Sequence, residues 1–323
     1  MSSAPRPTLK SHIAQWITRG PTAGVRRKGG GGQWLEFYYQ AGDPYSHLGA
    51  QWLTQLQRRL RIPLRVLPVP APTPESYPEA ERQQAFAHSD ALRIAPAFGG
   101  RYEAQRIPSA EDCERVTRTL LGARTLDEFV QRESLCARAI YQGEDLRAVA
   151  SRFAALDRGA AARIAQSNAR RRASLGHYLG GMWQFNGEWF WGLDRMALLE
   201  QALRAAGVLG GDGPLLRLRP EQAVLPERPQ GAPLEFWFSF RSPYSWLAAM
   251  RLQQRPALHG ALQIRPVLPM VMRGLPVPKA KRLYIVRDTR RVAEVMGLPF
   301  GRIADPVGAG AERCLKVFPL AVD

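Results

Sequence analysis

The chain has 323 residues, of which 45% are hydrophobic and 23% are charged, and it carries a formal net charge of +17. This length predicts about two folded domains, and no run of about 18 apolar residues indicates a membrane span. The first residues lack the apolar core of a secretion signal, so we expect a soluble, cytoplasmic protein.

The three cysteines, Cys113, Cys136 and Cys314, lie far apart, and none belongs to a CxxC pair. This spacing argues against a dithiol centre, a disulfide framework or a cysteine metal site. Arginines spread along the chain supply most of the positive charge, with tight clusters only at residues 26–28 and 170–172. We interpret them as a compositional bias on solvated faces, so nucleic acid is not the expected partner, whereas a small anionic substrate would be attracted.

Residues 1–32 are predicted to be an N-terminal extension, and the first domain is predicted to cover residues 33–206. LEFYY at residues 35–39 indicates a strand, Pro44 opens a helical pattern, and residues 64–69 indicate a second strand. Strand, helix, strand is the repeating unit of a parallel α/β sheet.

Helical patterns then fill the first domain from about residue 78 to residue 175. Asn186 and Gly187 supply the positive φ angles of a two-residue hairpin between strands at 182–185 and 188–191. A final amphipathic helix follows. The first domain is therefore predicted to contain a four-stranded mixed sheet with a helical insertion.

Residues 207–232 are rich in glycine and proline and are predicted to be a linker to a second domain at 233–323. Residues 35–50 match residues 234–249 at 8 of 16 positions, which predicts a tandem duplication. Strands are predicted at 234–239 and 262–268, with a helix starting at Pro243. The second copy is too short to include a closing hairpin, so either the chain is a fragment, or the first copy or a partner supplies the missing edge.

The FWFSF strand, the SPYS turn at residues 242–245, the helical insertion and the closing hairpin NGEWFWGLDR together carry a family resemblance. The chain resembles the DsbA-like thioredoxin superfamily, and within it 2-hydroxychromene-2-carboxylate isomerases and kappa-class glutathione transferases. In those enzymes a serine turn stands in place of the redox CxxC. The resemblance implies an α/β fold of tandem thioredoxin-like domains, the second incomplete at its C-terminus, and implies glutathione as the cofactor.

Ser242 is the candidate catalytic residue. A hydroxyl at a helix N-terminus can donate a hydrogen bond to a bound thiolate and stabilise it. The resemblance implies that Tyr244, Lys281, Asp194 and Arg195 contribute to glutathione binding. Asp194 and Arg195 could equally be an N-cap carboxylate and a solvated arginine of the last helix. Lys279 and Arg282 of the same predicted helix as Lys281 could also meet carboxylates. The alternative is structural: serine followed by proline is a good helix start that needs no ligand.

The first copy departs from the family pattern at two positions. Asp43 stands where the second copy has Ser242, and Gly181 stands where family members carry a cis-proline. A carboxylate can still cap a helix, but it would repel a thiolate. We therefore interpret the first copy as retained for architecture and the second as the copy that keeps the chemistry.

The resemblance favours a glutathione-dependent isomerase or transferase that acts on a small unsaturated or electrophilic substrate, anionic or aromatic in character. A non-catalytic binding protein built from degenerate thioredoxin-like modules is the alternative. A disulfide oxidoreductase is disfavoured because neither turn contains a cysteine. The sequence does not predict the substrate or the oligomeric state.

Overall fold

A computed structural model of the chain describes residues 33–216, 233–301, 303 and 305–321. The predicted N-terminal extension at 1–32 lies outside the described residues, as does most of the predicted linker. The described residues fall into two compact units. The first comprises residues 33–216, and the second comprises the described residues from 233 onwards.

A four-stranded sheet forms the centre of the first unit. Its strands are β1 (Leu35–Tyr39), β2 (Leu64–Pro68), β3 (Met182–Phe185) and β4 (Glu188–Trp191), in the order β2-β1-β3-β4. β1 runs parallel to β2, while β3 runs antiparallel to both β1 and β4. The predicted strand at 35–39 and both predicted hairpin strands are confirmed, and β2 ends one residue earlier than predicted.

Helices connect these strands and cover the sheet. α1 (Pro44–Ala50) and α2 (Leu53–Arg59) lie between β1 and β2. Five helices form the insertion between β2 and β3: α3 (Ala80–Ala97), α4 (Ala110–Leu121), α5 (Leu126–Gln142), α6 (Leu146–Ala150) and α7 (Arg158–Ser174). α8 (Met196–Ala205) follows the hairpin. None of the described helices is both long and apolar enough to cross a membrane.

The core of the first unit is built on both faces of β1, all five residues of which are buried. Phe37 stacks on Trp183 of β3 with ring centroids 4.1 Å apart, and both side chains are fully buried. α1 packs closely over this pair, because a Cβ on Gly49 would lie only 2.7 Å from Cζ of Phe37. Stacked aromatic rings of this kind contribute about 0.5–1.5 kcal/mol beyond the area that they bury.

The arginine cluster at 170–172 is only partly a solvated face. Arg171 forms an ion pair with the fully buried Glu36 at 2.7 Å, and Glu36 also accepts a hydrogen bond from the Tyr38 hydroxyl at 2.8 Å. Arg172 is buried, and its Nη1 donates to the carbonyl of Leu179 at 2.8 Å. The interpretation of a solvated cluster therefore holds for the exposed Arg170 and is wrong for the buried Arg172. The side chain of Arg171 is 41% exposed, but its pair with Glu36 also ties α7 to β1.

The second unit contains a two-stranded parallel sheet. Its elements are β5 (Leu234–Phe238), α9 (Pro243–Gln253), β6 (Leu262–Pro266), α10 (Lys279–Val295) and α11 (Ala309–Val317). The predicted helix start at Pro243 is confirmed, and the two strands end one and two residues earlier than predicted. Among the described residues of this unit, no strand other than β6 pairs with β5.

The start of the predicted linker packs on the first unit. The amide of Arg61 donates to the carbonyl of Val208 at 2.9 Å, and that of Gly210 donates to the carbonyl of Arg59 at 2.8 Å. Leu215 is buried in the core of the unit. The ordered chain of the first unit therefore continues beyond the predicted boundary at residue 206.

The neighbouring arginines of α7 provide a test of this packing. We expect Arg171→Met to lower the free energy of unfolding by about 2–3 kcal/mol, because it leaves the buried Glu36 carboxylate without its cation. Arg170→Met is the matched control and should change stability by less than about 0.5 kcal/mol, because Arg170 is exposed. Urea unfolding followed by tryptophan fluorescence measures both, and equal effects would contradict the role of the Glu36–Arg171 pair.

Candidate functional site

Each unit begins with the same arrangement of strand, turn and capped helix. In the second unit, Ser242 is the N-cap of α9, and its Oγ accepts a hydrogen bond from the amide of Ser245 at 3.2 Å. The Oγ of Ser245 accepts in turn from the amide of Ser239 at 3.2 Å. The turn is therefore closed by two serine side chains.

The first unit closes its turn with the same pair of hydrogen bonds. Asp43 is the N-cap of α1, and its Oδ2 accepts from the Ser46 amide at 2.9 Å and from the Ser46 hydroxyl at 2.6 Å. The Oγ of Ser46 accepts from the amide of Gln40 at 3.0 Å. Replacement of serine by aspartate thus preserves the cap and changes its charge.

A tyrosine follows the proline in both turns and contacts a carboxylate of the next long helix. Tyr244 donates to Asp288 at 2.7 Å, and the buried Asp288 also accepts from Arg291 at 3.2 Å. Tyr45 donates to Asp90 at 2.8 Å. The tyrosine and its acid are therefore common to both units, and among the described residues only the acid of the second unit also contacts an arginine.

A cavity of about 410 Å³ opens over Ser242 in the second unit. Three cationic side chains line it and are exposed: Arg273, Lys279 and Arg282. Arg241 also lines it and forms an ion pair with Asp305 at 2.6 Å. Among the described residues, the lining therefore contains four cationic side chains and one carboxylate, that of Asp305. This excess of positive charge favours an anionic ligand.

The structure places the predicted binding residues in different positions. Tyr244 lines the cavity of Ser242, whereas Lys281 is not among the lining residues, and burial lowers its pKa. Lys279 and Arg282, three residues apart, share one face of α10, and the intervening Lys281 points elsewhere. The cations that meet the cavity are thus the two flanking ones.

Asp194 and Arg195 belong to the first unit, at the junction of β4 and α8. Arg195 occupies the N-cap position of α8 without a side-chain cap bond, and its Nη1 donates to Asp194 Oδ2 at 2.5 Å. The Asp194 side chain is 58% exposed. Neither residue is among those that line the cavities over Ser242 and Asp43.

A second cavity, of about 550 Å³, opens over Asp43 in the first unit. The sequence analysis missed it because its walls come from the turn after β1, the segment after β2, α3, α4 and α7, which are distant in sequence. Gly181 lies against the turn, since a Cβ there would stand 3.0 Å from Asp43 Oδ2. Burial raises the pKa of Asp43 to about 6, against the opposing effect of the hydrogen bonds from Ser46.

The cysteines add no thiolate to either site. Cys113 lines the cavity over Asp43, and burial raises its pKa to about 11. Burial likewise raises the pKa of Cys136 to about 12. Both thiols are protonated at neutral pH and are poor nucleophiles. Among the described residues, no group of three or more His, Cys, Asp or Glu side chains could hold a metal ion.

The strand order, with β3 alone antiparallel to the other three, and the capped turn after β1 define the first unit as a thioredoxin-like fold with a helical insertion between β2 and β3. The resemblance seen in the sequence is confirmed at the level of the fold.

Comparisons with known proteins return solved structures that are similar to part of this chain. No protein-family model matches the chain, and no curated protein matches it. A 2-hydroxychromene-2-carboxylate isomerase is similar with a TM-score of 0.39 and 16% identity, over 54% of this chain and 96% of that chain. The cytosolic disulfide reductase DsbM from Pseudomonas aeruginosa is similar with a TM-score of 0.38 and 17% identity, over 53% of this chain and 99% of that chain. The fold assignment rests on the strand order.

Asp43 gives a prediction with a defined pH dependence. The folded protein binds the Asp43 proton more tightly than the unfolded chain, because the pKa is raised from 3.8 to about 6. The ionised carboxylate therefore lowers stability above about pH 6, and this penalty disappears as the pH falls towards 4. We expect Asp43→Asn, which keeps a capping oxygen, to stabilise the protein by about 1–2 kcal/mol at pH 8 and by much less at pH 4.

Urea unfolding at the two pH values measures this difference. Asp145→Asn is the matched control, because Asp145 is an exposed N-cap of α6 that accepts from the amides of Arg147 and Ala148. It should not be stabilising at pH 8. An Asp43→Asn protein that is no more stable than the parent at pH 8 would contradict the account.

Proposed function

We propose that the chain is a glutathione-dependent isomerase or transferase that acts on a small unsaturated or electrophilic substrate at the cavity over Ser242. The observation that carries this proposal is the position of the Ser242 hydroxyl, at the N-terminus of α9 and in the lining of a cavity with a cationic surplus. A cytoplasmic location remains a prediction.

Ser242 has the hydrogen-bonding capacity that the proposal requires. Its oxygen accepts the Ser245 amide through one lone pair, so the hydroxyl proton can still be donated to a bound thiolate. The macrodipole of α9 places partial positive charge at this end of the helix, which favours negative charge. Both effects lower the pKa of a bound thiol. Glutathione would supply that thiol, which adds to the substrate and either leaves again, giving isomerisation, or stays, giving transfer.

Ser242 acts in this proposal as a stabiliser of the thiolate and not as a nucleophile. None of the described residues that line its cavity is a histidine that could remove the serine proton. The Tyr244 hydroxyl already donates to Asp288, so Tyr244 offers its ring and a lone pair to a ligand. The chemistry therefore depends on the cap residue itself.

The cations of the cavity wall support an anionic cofactor. Arg241 pairs with Asp305, and Lys279 and Arg282 add positive charge around the opening. Glutathione carries two carboxylates, which such side chains can hold through charge-assisted hydrogen bonds. Lys281, Asp194 and Arg195 do not line this cavity, so the proposal rests on Lys279 and Arg282 in their place.

We also propose that the two units arose by tandem duplication. The cap bond, the serine bond that closes the turn and the tyrosine–aspartate bond recur at positions 198 or 199 residues apart. The main-chain bond from Val69 to Tyr39 likewise has its counterpart from Val267 to Phe238. These contacts are local to each strand–turn–helix and support a common origin.

A non-catalytic binding protein is the second candidate. It is favoured by Asp43, whose carboxylate would repel a thiolate in the first unit, and by the two-stranded sheet of the described part of the second unit. In this case the cavity over Ser242 would hold an anion without activating a thiol. Measurement of the pKa of a bound thiol separates the two candidates.

The test compares Ser242→Asp, Ser242→Ala and the parent protein. Asp43 demonstrates that aspartate can cap this turn, so we expect Ser242→Asp to stay within about 1 kcal/mol of the parent in stability. It should nevertheless raise the thiol pKa of bound glutathione and abolish any isomerase or transferase rate, because a carboxylate faces the thiolate. Ser242→Ala should lose about 1 kcal/mol of stability and part of the rate.

Titration of the ultraviolet absorbance of the thiolate in the presence of each protein gives the pKa. Ser109→Asp is the matched control, because Ser109 caps α4 through the amide of Asp112 and lies outside the cavity over Ser242. The thiol pKa of glutathione bound to Ser109→Asp should equal the pKa measured with the parent protein. If Ser242→Asp also leaves it unchanged, Ser242 is a helix cap only and the binding-protein candidate is favoured.

A further inference from the structure

We propose that the cavity over Asp43 is a second binding site, specific for a small organic ammonium ion that pairs with the Asp43 carboxylate between aromatic rings. The site is separate from the cavity over Ser242, and its argument does not depend on glutathione chemistry. It changes the interpretation of the first unit, which the sequence suggests is retained only for architecture.

The Asp43 carboxylate faces a cavity and has no cation beside it. Its hydrogen bonds come from Ser46 on its own helix, and within residues 33–216 it forms no ion pair. The carboxylate is desolvated, and no arginine or lysine charge contributes to its electrostatics. A desolvated carboxylate without a counter-ion is stabilised by a ligand that brings the missing positive charge.

Two cations line the cavity elsewhere. Arg158 pairs with Glu114 at 2.6 Å and is 72% exposed. The Nε of Arg118 donates to the carbonyl of Leu156 at 2.9 Å, and its charge stays in the lining. Neither arginine forms an ion pair with Asp43 or shifts its pKa, so the turn itself has no counter-ion.

Asp90 adds to this negative character. It accepts from the hydroxyl of Tyr45, which lines the cavity, and it forms no ion pair within the first unit. Its counterpart Asp288 accepts from Arg291 as well as from Tyr244. The same framework is thus compensated by arginine in the second unit and uncompensated in the first.

Aromatic rings provide the remaining walls that an ammonium ion needs. Tyr45 and Trp191 pack edge to face with centroids 5.4 Å apart, and both line the cavity. Tyr77 lines it too, and burial, with a smaller contribution from the charge of Asp43, raises its pKa to about 12. Ring faces attract organic cations, and the attraction is larger where water is excluded. The rest of the lining is mainly apolar and can hold a hydrocarbon group.

The two cavities therefore select opposite charges. At pH 7 a carboxyl with a pKa near 6 is mainly ionised, so a ligand that needs the protonated acid would meet only a minor fraction of the molecules. An uncharged ligand would leave the carboxylate without a counter-ion, and an anion would be repelled. An ammonium ion is the class that satisfies the charge, the rings and the volume together.

Calorimetric titration of the full chain with three probes of matched size tests the proposal. The probes are benzylamine, benzyl alcohol and benzoate, which are cationic, neutral and anionic at pH 7.5. We expect benzylamine to bind the parent protein at least about tenfold more tightly than benzyl alcohol, and benzoate not to bind at this cavity. Asp43→Asn should weaken benzylamine by at least about tenfold and leave benzyl alcohol nearly unchanged.

Controls keep the result interpretable. Asp145→Asn removes an exposed capping carboxylate outside the cavity and should bind benzylamine as the parent does. Asp43→Ser introduces the residue that the second unit carries at this position. It should weaken benzylamine binding as Asp43→Asn does, and it replaces Asp43→Asn if that variant fails to fold. Equal affinity for benzylamine and benzyl alcohol, or undiminished benzylamine binding by a folded Asp43 variant, would overturn the proposal.

Discussion

The capped turn after the first strand is the constraint on which both units depend. A side-chain oxygen of residue 43 or 242 accepts a hydrogen bond from the amide of the serine three residues later. The hydroxyl oxygen of that same serine accepts a hydrogen bond from the amide of residue 40 or 239, just after the strand. Without the cap, the first amides of the helix would lack partners at the floor of a cavity, at a cost of about 1 kcal/mol or more. The cap must remain an acceptor, but its charge is free to vary.

Variation at this one position changes what each cavity can bind. Serine leaves a donor proton beside Lys279 and Arg282, whereas aspartate leaves a negative charge beside Tyr45 and Trp191. The residues around each cap agree with its charge, since cations line the second cavity and the aspartates of the first lack ion pairs within residues 33–216. A duplicated framework would thereby serve two ligands of opposite charge. The proposals for the two cavities follow from the same hydrogen-bonding pattern.

The sequence predicted those features that depend on neighbouring residues. A run of aromatic residues predicts β1, Asn186-Gly187 predicts the hairpin, and a cap followed by proline predicts the starts of α1 and α9. The sequence missed features that depend on distant residues, such as the cavity over Asp43, the ion pair between Arg171 and Glu36, and the burial of Arg172. Each helical residue turns by about 100°, and sequence alone does not give the rotation of α10, so it could not say that Lys279 lines the cavity over Ser242 and Lys281 does not.

The central claim is that the two caps create sites of opposite charge preference within one chain. A crystal structure of the full chain grown with both glutathione and benzylamine tests it most directly. The account predicts the glutathione sulfur within hydrogen-bond distance of Ser242 Oγ and the benzylamine nitrogen against the Asp43 carboxylate. Glutathione bound over Asp43, or benzylamine bound over Ser242, would contradict it.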